Sequence, residues 1–209
     1  MDDGSEPTAH ILLYRHGEIA GGCFHVCCAG SDVDLSPEGI TTSLTIIQHL
    51  LRQQVRLVVT SPLRRASFVG KISNRRHGIP HEPLSDLRER HLGVWERQSW
   101  EQIAERYKLL LQAFREQPHT TDIPEAERPP AFQERVERGW DTLVEYARRN
   151  GPIGVVGHYI WNRVALEEVL GFSGVARELH PGDLAEIDVS GRKPSIVGIH
   201  SHLDLQETA

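Results

Sequence analysis

Ile11-Leu12-Leu13-Tyr14-Arg15-His16-Gly17-Glu18 is the stretch from which the fold can be read. A short apolar run ends at once on a cation, an imidazole and a glycine. Such a run suits a strand buried on both faces of a parallel sheet. In open α/β sheets, ligands bind just beyond the carboxyl ends of the strands, and Arg15 and His16 fall there. Arg15 offers a planar fork of donors matched to phosphate. His16 offers a ring nitrogen that is largely neutral near pH 7 and can act as a nucleophile. Gly17 is expected to let the backbone approach a ligand closely.

Two later stretches repeat the pattern. Arg56-Leu57-Val58-Val59-Thr60 is followed by Ser61-Pro62-Leu63-Arg64-Arg65-Ala66, and Ile153-Gly154-Val155-Val156-Gly157 by His158. Three apolar runs thus each deliver a cationic or imidazole group at the carboxyl end. If the runs are parallel neighbours, these groups share one pocket. Arg64 and Arg65 fall in the first turn of a helix announced by Ser61 and Pro62, where free N–H groups favour an anion.

Taken together, these residues resemble the histidine phosphatase, or phosphoglycerate mutase-like, superfamily. Arg15-His16-Gly17 matches its signature tripeptide. Ser61 to Ala66 matches the second motif, with Arg65 as the phosphate ligand. Leu87 to Gly93 with Trp95-Glu96 matches the segment of the family's acid, here Glu89, and Val155 to His158 matches the segment of the second histidine. The resemblance implies a three-layer α/β/α sandwich with a mostly parallel central sheet. It also implies a phosphomonoester hydrolase of the histidine acid phosphatase type, working through a phosphohistidine on His16 without a cofactor or metal. Arg15, Arg65 and His158 would hold the phosphoryl oxygens, with His158 protonated, and Glu89 would protonate the leaving group. Glu18, close to the nucleophile, is the rival acid. Gly17, Glu18, Ser31 and Tyr159 are the candidate substrate contacts.

Cys27 to Leu35 is similar to the corresponding stretch of alpha-ribazole phosphatases, with Ala29 and Asp34 in place of a glycine and a proline. This points to alpha-ribazole 5'-phosphate among small phosphorylated metabolites. Pro124 to Glu127 and Phe132 to Val136 resemble a loop-helix segment of the phosphatase branches, with Glu127 at that segment's glutamate. Ile19, Gly22, Tyr159 and Ile160 stand where many members carry Thr, Asn, Gly and Gly. Two alternatives follow: a mutase that returns the phosphoryl group, or a catalytically weak member that binds a phosphorylated ligand or a partner protein. Trp95 to Phe114 reads as a continuing amphipathic helix without the mutases' arginine-bearing insertion, which favours the phosphatase.

The chain has 209 residues, 39% hydrophobic and 25% charged, with a formal net charge of -6. Such a length suits one domain over residues 10–209, and the acidic balance argues against nucleic acid or an anionic membrane as the main partner. Residues 1–9 read as a frayed tail without the features of a signal peptide. With no apolar run of membrane-spanning length, the expected compartment is the cytoplasm. Cys23, Cys27 and Cys28 cluster in one loop with His25. Their spacing suits reduced thiols beside a pocket better than zinc. A homodimer stays open, because exposed apolar patches cannot be located from sequence.

Helix signals are clear at three places. Ser36-Pro37-Glu38 is a cap, a first-turn proline and a dipole-matching acid, with Ile40, Leu44, Ile47 and Leu51 as the expected buried face. Ser99 and Gln102 form a capping-box pattern, ahead of Trp100, Ile103, Tyr107, Leu110 and Phe114, read as core. Phe132, Val136, Trp140, Leu143 and Ala147 mark a helix ending near Gly151. Leu63, Ala66, Val69 and Ile72 mark the face of the Arg64–Arg65 helix. Between residues 77 and 90 a loop with one edge strand is expected, and Leu184 to Val189 and Ser195 to Ile199 read as an edge hairpin.

Overall fold

The computed structural model describes residues 9–21, 25–172, 174 and 179–207. Six strands form one sheet: β1 (His10–Arg15), β2 (Leu57–Thr60), β3 (His81–Pro83), β4 (Ile153–Gly157), β5 (Leu184–Asp188) and β6 (Ser195–His200), in the order β3-β2-β4-β1-β5-β6. The first four in that order run parallel, and β5 pairs antiparallel with both β1 and β6. The expected edge hairpin and the short edge strand after residue 77 are both present.

Helices cover both faces, as expected for the three-layer sandwich. On one face lie α1 (Pro37–Arg52) and α2 (Arg64–His77). Leu12, Tyr14, Val58 and Val156 point into that layer with Ile46, Leu50 and Val69. On the other face lie α3 (Trp100–Arg106), α4 (Lys108–Glu116), α5 (Pro129–Asn150) and α6 (Tyr159–Val164), the last running on as a wider π turn over Ala165–Val169. Ile11, Leu13, Val59, Ile153 and Val155 point into that layer with Phe132, Val136, Leu143 and Trp161. The strict alternation along β1 explains why it reads as an unbroken apolar run: both of its faces are covered. A short α7 (Asp204–Glu207) follows β6.

The cap of α1 forms as its sequence predicts, with Ser36 Oγ accepting from the Gly39 N–H at 3.0 Å. Its buried face is different. Ile40, Leu44 and Leu51 are about 40% exposed, and of the four expected residues only Ile47 is buried. The contact ridge is Gly39, Ser43, Ile46 and Leu50. The cause is close approach: a Cβ on Gly17 would overlap the Gly39 carbonyl, and one on Gly39 would overlap the Glu18 carbonyl. Gly17 therefore admits a helix rather than a ligand. Gly39→Ala is expected to destabilise the protein by about 1–3 kcal/mol through overpacking against backbone, lowering the thermal midpoint. An unchanged midpoint would contradict the contact.

Two other boundaries shift. Ser61 does not cap α2; Leu63 occupies that place without a side-chain bond. The amphipathic stretch after Ser99 breaks at Tyr107, whose φ of -130° separates α3 from α4, although the Ser99–Gln102 capping box forms. Of the expected tail, residues 1–8 lie outside the described residues. Ala9 is buried and tied to Ser190 Oγ at 2.8 Å, so the domain takes in residue 9, one before the expected start. Among the described residues no helix is long and apolar enough to cross a membrane.

Candidate active site

Strand register builds the site. Arg15 of β1 lies opposite Gly157 of β4, and Thr60 of β2 lies opposite Val156. The next residue of each strand therefore emerges at one level. The His16 N–H donates to the Gly157 carbonyl at 3.2 Å and the Ser61 N–H to the Val156 carbonyl at 3.1 Å. His16 and His158 become neighbours, ring centroids 5.0 Å apart and edge to face. From Ser61 the chain turns into α2, whose second residue, Arg65, reaches back to His16.

The bonds fix the His16 tautomer. Nδ1 lies 2.7 Å from the Gly17 carbonyl, which can only accept, so Nδ1 carries the proton. Nε2 then holds a lone pair, and Arg65 Nε donates to it at 3.1 Å. Burial, then the Arg65 and Arg15 charges, hold the His16 pKa well below the ordinary histidine value. The ring is thus neutral and oriented, with its nucleophilic nitrogen facing a cation.

Arg65 is 2% exposed and otherwise donates to the Ser31 carbonyl at 2.7 Å and the Ala29 carbonyl at 2.6 Å. It joins the nucleophile to the loop after β1. That loop is pinned at several of its described residues. Ile19 bridges Leu35, Val26 bridges Ser99, and the Glu96 carboxylate accepts from the Gly30, Ser31 and Leu92 N–H groups and from Ser31 Oγ. The Ser31 hydroxyl is consequently committed to Glu96 at 2.7 Å and lies outside the cleft lining. This corrects its reading as a substrate contact: its carbonyl positions Arg65. Arg64, in contrast, is half exposed and pairs with Asp32 and Asp34.

Glu89 is buried beside this group. Its carboxylate accepts the N–H of Arg90 at 3.0 Å, Ile160 at 3.0 Å and Trp161 at 3.1 Å, the last two from the first turn of α6. Burial raises its pKa, and these donors together with Arg65 pull it partly back; the net direction is upward. Its loop is held from behind. Arg90, fully buried, donates to the carbonyls of Pro118, Thr121 and Glu127, and Arg135 donates to those of Asp86 and Arg88 while forking onto Glu127. Glu127 therefore acts on the loop that carries Glu89, away from the cleft.

His158 is fully buried, and neither ring nitrogen has a hydrogen-bond partner among the described residues. Burial, then Arg65, His16 and Arg15, hold its pKa well below the usual range. The expected protonated His158 is therefore not the state of the ligand-free site; a bound dianion reverses the sign of the local field. Arg15 donates to the Leu179 carbonyl at 2.9 Å, and its guanidinium lies over the Tyr159 ring, 5.1 Å from the centroid.

Arg15, His16, Arg65, Glu89 and Tyr159, among others, line a cleft of about 230 Å³, while the fully buried His158 stands beside the His16 ring and outside that lining. Gly17 and Glu18 are absent from its lining, which leaves the rival acid outside. Cys27 and Cys28 stand on its wall, as a pocket-side loop predicts; burial, chiefly, pushes the Cys27 pKa up to about 12, so that thiol stays protonated. Cys23 and Gly22 lie outside the described residues. Sequence reading missed Ile19, Val26, Leu92, Trp100 and Phe114 as cleft residues. Trp100 and Phe114 carry helix periodicity, and periodicity cannot tell a core face from a cleft wall.

The family model described as histidine phosphatase superfamily (branch 1) matches residues 11–201. Glucosyl-3-phosphoglycerate phosphatase of Mycolicibacterium vanbaalenii is 31% identical over 86 residues, 41% of this chain and 38% of that protein. The metal-independent phosphoserine phosphatase of Arabidopsis thaliana is 26% identical over 148 residues, 70% of this chain and 61% of that protein. The chain thus spans less than two thirds of the length of these relatives. The solved alpha-ribazole phosphatase of Shigella flexneri superposes with a TM-score of 0.77 at 22% identity, covering 92% of this chain and 96% of that one, which establishes a shared fold.

Proposed function

The chain belongs to the histidine phosphatase superfamily, branch 1, and on that premise we propose that it hydrolyses phosphomonoesters of small metabolites through a phosphohistidine at His16. The observation that carries this reading is the Arg65 Nε contact to a His16 Nε2 that its own tautomer leaves unprotonated. Nε2 attacks phosphorus, the N–P bond forms and the bond to the leaving oxygen breaks. That oxygen takes the proton of Glu89. Water then attacks the phosphohistidine and gives a proton to Glu89. The N–P bond breaks, releasing inorganic phosphate and restoring the ring. Arg15, Arg65 and His158 balance the charge on the equatorial oxygens. Alpha-ribazole 5'-phosphate is the candidate substrate to which the Cys27–Leu35 segment points, and the cytoplasm is the proposed compartment.

Glu89 has the role of acid because it lies in the cleft wall and Glu18 does not. Glu89→Gln is expected to lower kcat for alkyl phosphates by about 100- to 10,000-fold. It should affect p-nitrophenyl phosphate much less, because nitrophenolate leaves without a proton. Glu18→Gln should leave the alkyl ester rates within a few fold. The reverse pattern in steady-state rates would assign the acid to Glu18.

The pH profile follows from the two shifts. His16 must be neutral, and its lowered pKa keeps it so below pH 6.5. Glu89 must start protonated, and its raised pKa extends that state upward from the ordinary value of 4.5. For alkyl phosphates kcat/KM should therefore hold on the acid side of pH 6.5 and decline as pH rises through the Glu89 pKa. A profile that loses activity on acidification through pH 6.5 would contradict the depressed imidazole.

A further inference from the structure

We infer that the leaving group is an alcohol carrying an aromatic ring, not a carboxylic acid or an open-chain polyol. This inference rests on the phosphatase reading and names its substrate class. Among the described residues lining the cleft, the charged and imidazole groups are Arg15, His16, Arg65 and Glu89, all of them gathered at the phosphoryl centre. The space beyond that centre is walled by Ile19, Val26, Leu92, Trp100, Phe114 and Ile160. The Trp100 and Phe114 rings stack at 25° and 6.4 Å, and Trp95 braces Phe114 from behind at 5.3 Å, edge on. A further flat ring can join such an aromatic pair by offset or edge contact.

The apolar wall does not stop at the mouth. Trp100, Phe114 and Tyr159 also line an adjoining hollow of about 260 Å³, whose other walls are Leu111, Arg115 and Pro118. A one- or two-ring group can therefore lie against Trp100 and Phe114 while its phosphoryl meets His16. A carboxylate or a set of hydroxyls in the same place would give up water without gaining partners, which costs heavily for the charge and substantially for each hydroxyl. The two relatives whose names specify phosphoserine and glucosyl-3-phosphoglycerate act on esters of acids. Among the described residues lining the cleft itself no cation stands beyond the phosphoryl centre; Arg115 lines only the adjoining hollow.

The test compares esters whose alcohols differ little in basicity, so that the ratio reports the wall and not the chemistry. Kcat/KM is measured for benzyl phosphate, glycerol 3-phosphate, phosphoserine and 3-phosphoglycerate, with p-nitrophenyl phosphate as the activated reference and His16→Ala as the blank. Benzyl phosphate should exceed glycerol 3-phosphate by about 30-fold, as burial of one ring implies, and both acids by more. Phe114→Leu and Trp100→Ala, two variants so that one misfolding protein does not decide the matter, should each shrink the benzyl-to-glycerol ratio by about 5- to 10-fold. His16-dependent turnover in which phosphoserine, 3-phosphoglycerate or glycerol 3-phosphate matches benzyl phosphate would overturn the inference and leave the phosphatase standing. A ratio unmoved in both folded variants would also overturn it. Absence of His16-dependent turnover of every ester, the activated one included, would overturn the phosphatase reading and the inference with it.

Discussion

His16→Ala is expected to lower kcat for every phosphomonoester by about 10⁵-fold or more, the scale on which a covalent nucleophile acts when it works as part of a unit. The effect should be independent of leaving group, which separates it from the loss of an acid. The reason is geometric. Gly17 fixes the proton on Nδ1, Arg65 faces Nε2, and two arginines with burial keep the ring neutral. Two other groups of the cleft wall are poorly placed to attack phosphorus. Glu89 is engaged by three backbone N–H groups, and the Cys27 thiol is held protonated near neutrality. The measurement is kcat for p-nitrophenyl phosphate and benzyl phosphate in parent and variant. A residual rate within about 100-fold for both esters would place the nucleophile elsewhere.

The second large effect belongs to Arg65. Arg65→Ala is expected to lower kcat by about 100- to 1,000-fold, through loss of charge opposite the transferred phosphoryl group. It should also lower stability, since the partly buried Ala29 and Ser31 carbonyls lose their donors at a cost of up to about 1 kcal/mol each. Arg65→Lys should recover little of either quantity, because an ammonium cannot reach two carbonyls and an imidazole with the geometry of a fork. Kinetics and thermal unfolding on both variants separate the two roles. A lysine variant with near-parent kcat and midpoint would show that charge alone matters. Loss of stability without loss of kcat per folded molecule would confine Arg65 to holding the loop.

Much of this arrangement was legible in the amino-acid sequence because strand ends announce themselves. Runs such as Ile11–Tyr14 and Ile153–Val156 are apolar on both faces, and the first polar residue after each run marks where the strand ends. Once the runs are taken as parallel neighbours, His16, Arg65 and His158 must converge, and the register of β1, β2 and β4 brings them together. The capping signals at Ser36 and Ser99 were equally readable, since they depend on residues within one turn.

What sequence could not reveal depends on contacts between distant segments. The buried ridge of α1 runs through Gly39 and Ser43, small residues that a search for large apolar side chains passes over. Tyr107 gives no local sign that it divides α3 from α4. Nothing local to Arg90 or Arg135 shows that each satisfies backbone carbonyls of a loop. Ser31 sits in a stretch that invites a substrate role, and only Glu96, 65 residues away, shows where its hydroxyl goes. Trp100 and Phe114 follow the spacing of a core face and yet line the cleft.

The claim on which the account turns is covalent attachment of phosphoryl to His16. Mixing the protein with excess p-nitrophenyl phosphate, quenching in base within the first turnover and locating the added phosphoryl group by mass spectrometry tests it directly. An acid-labile, base-stable phosphoryl group should appear on His16, forming no more slowly than nitrophenolate is released and disappearing at the rate of phosphate release. Release of nitrophenolate and phosphate in step, with the His16 peptide unmodified throughout and turnover intact in His16→Ala, would contradict it.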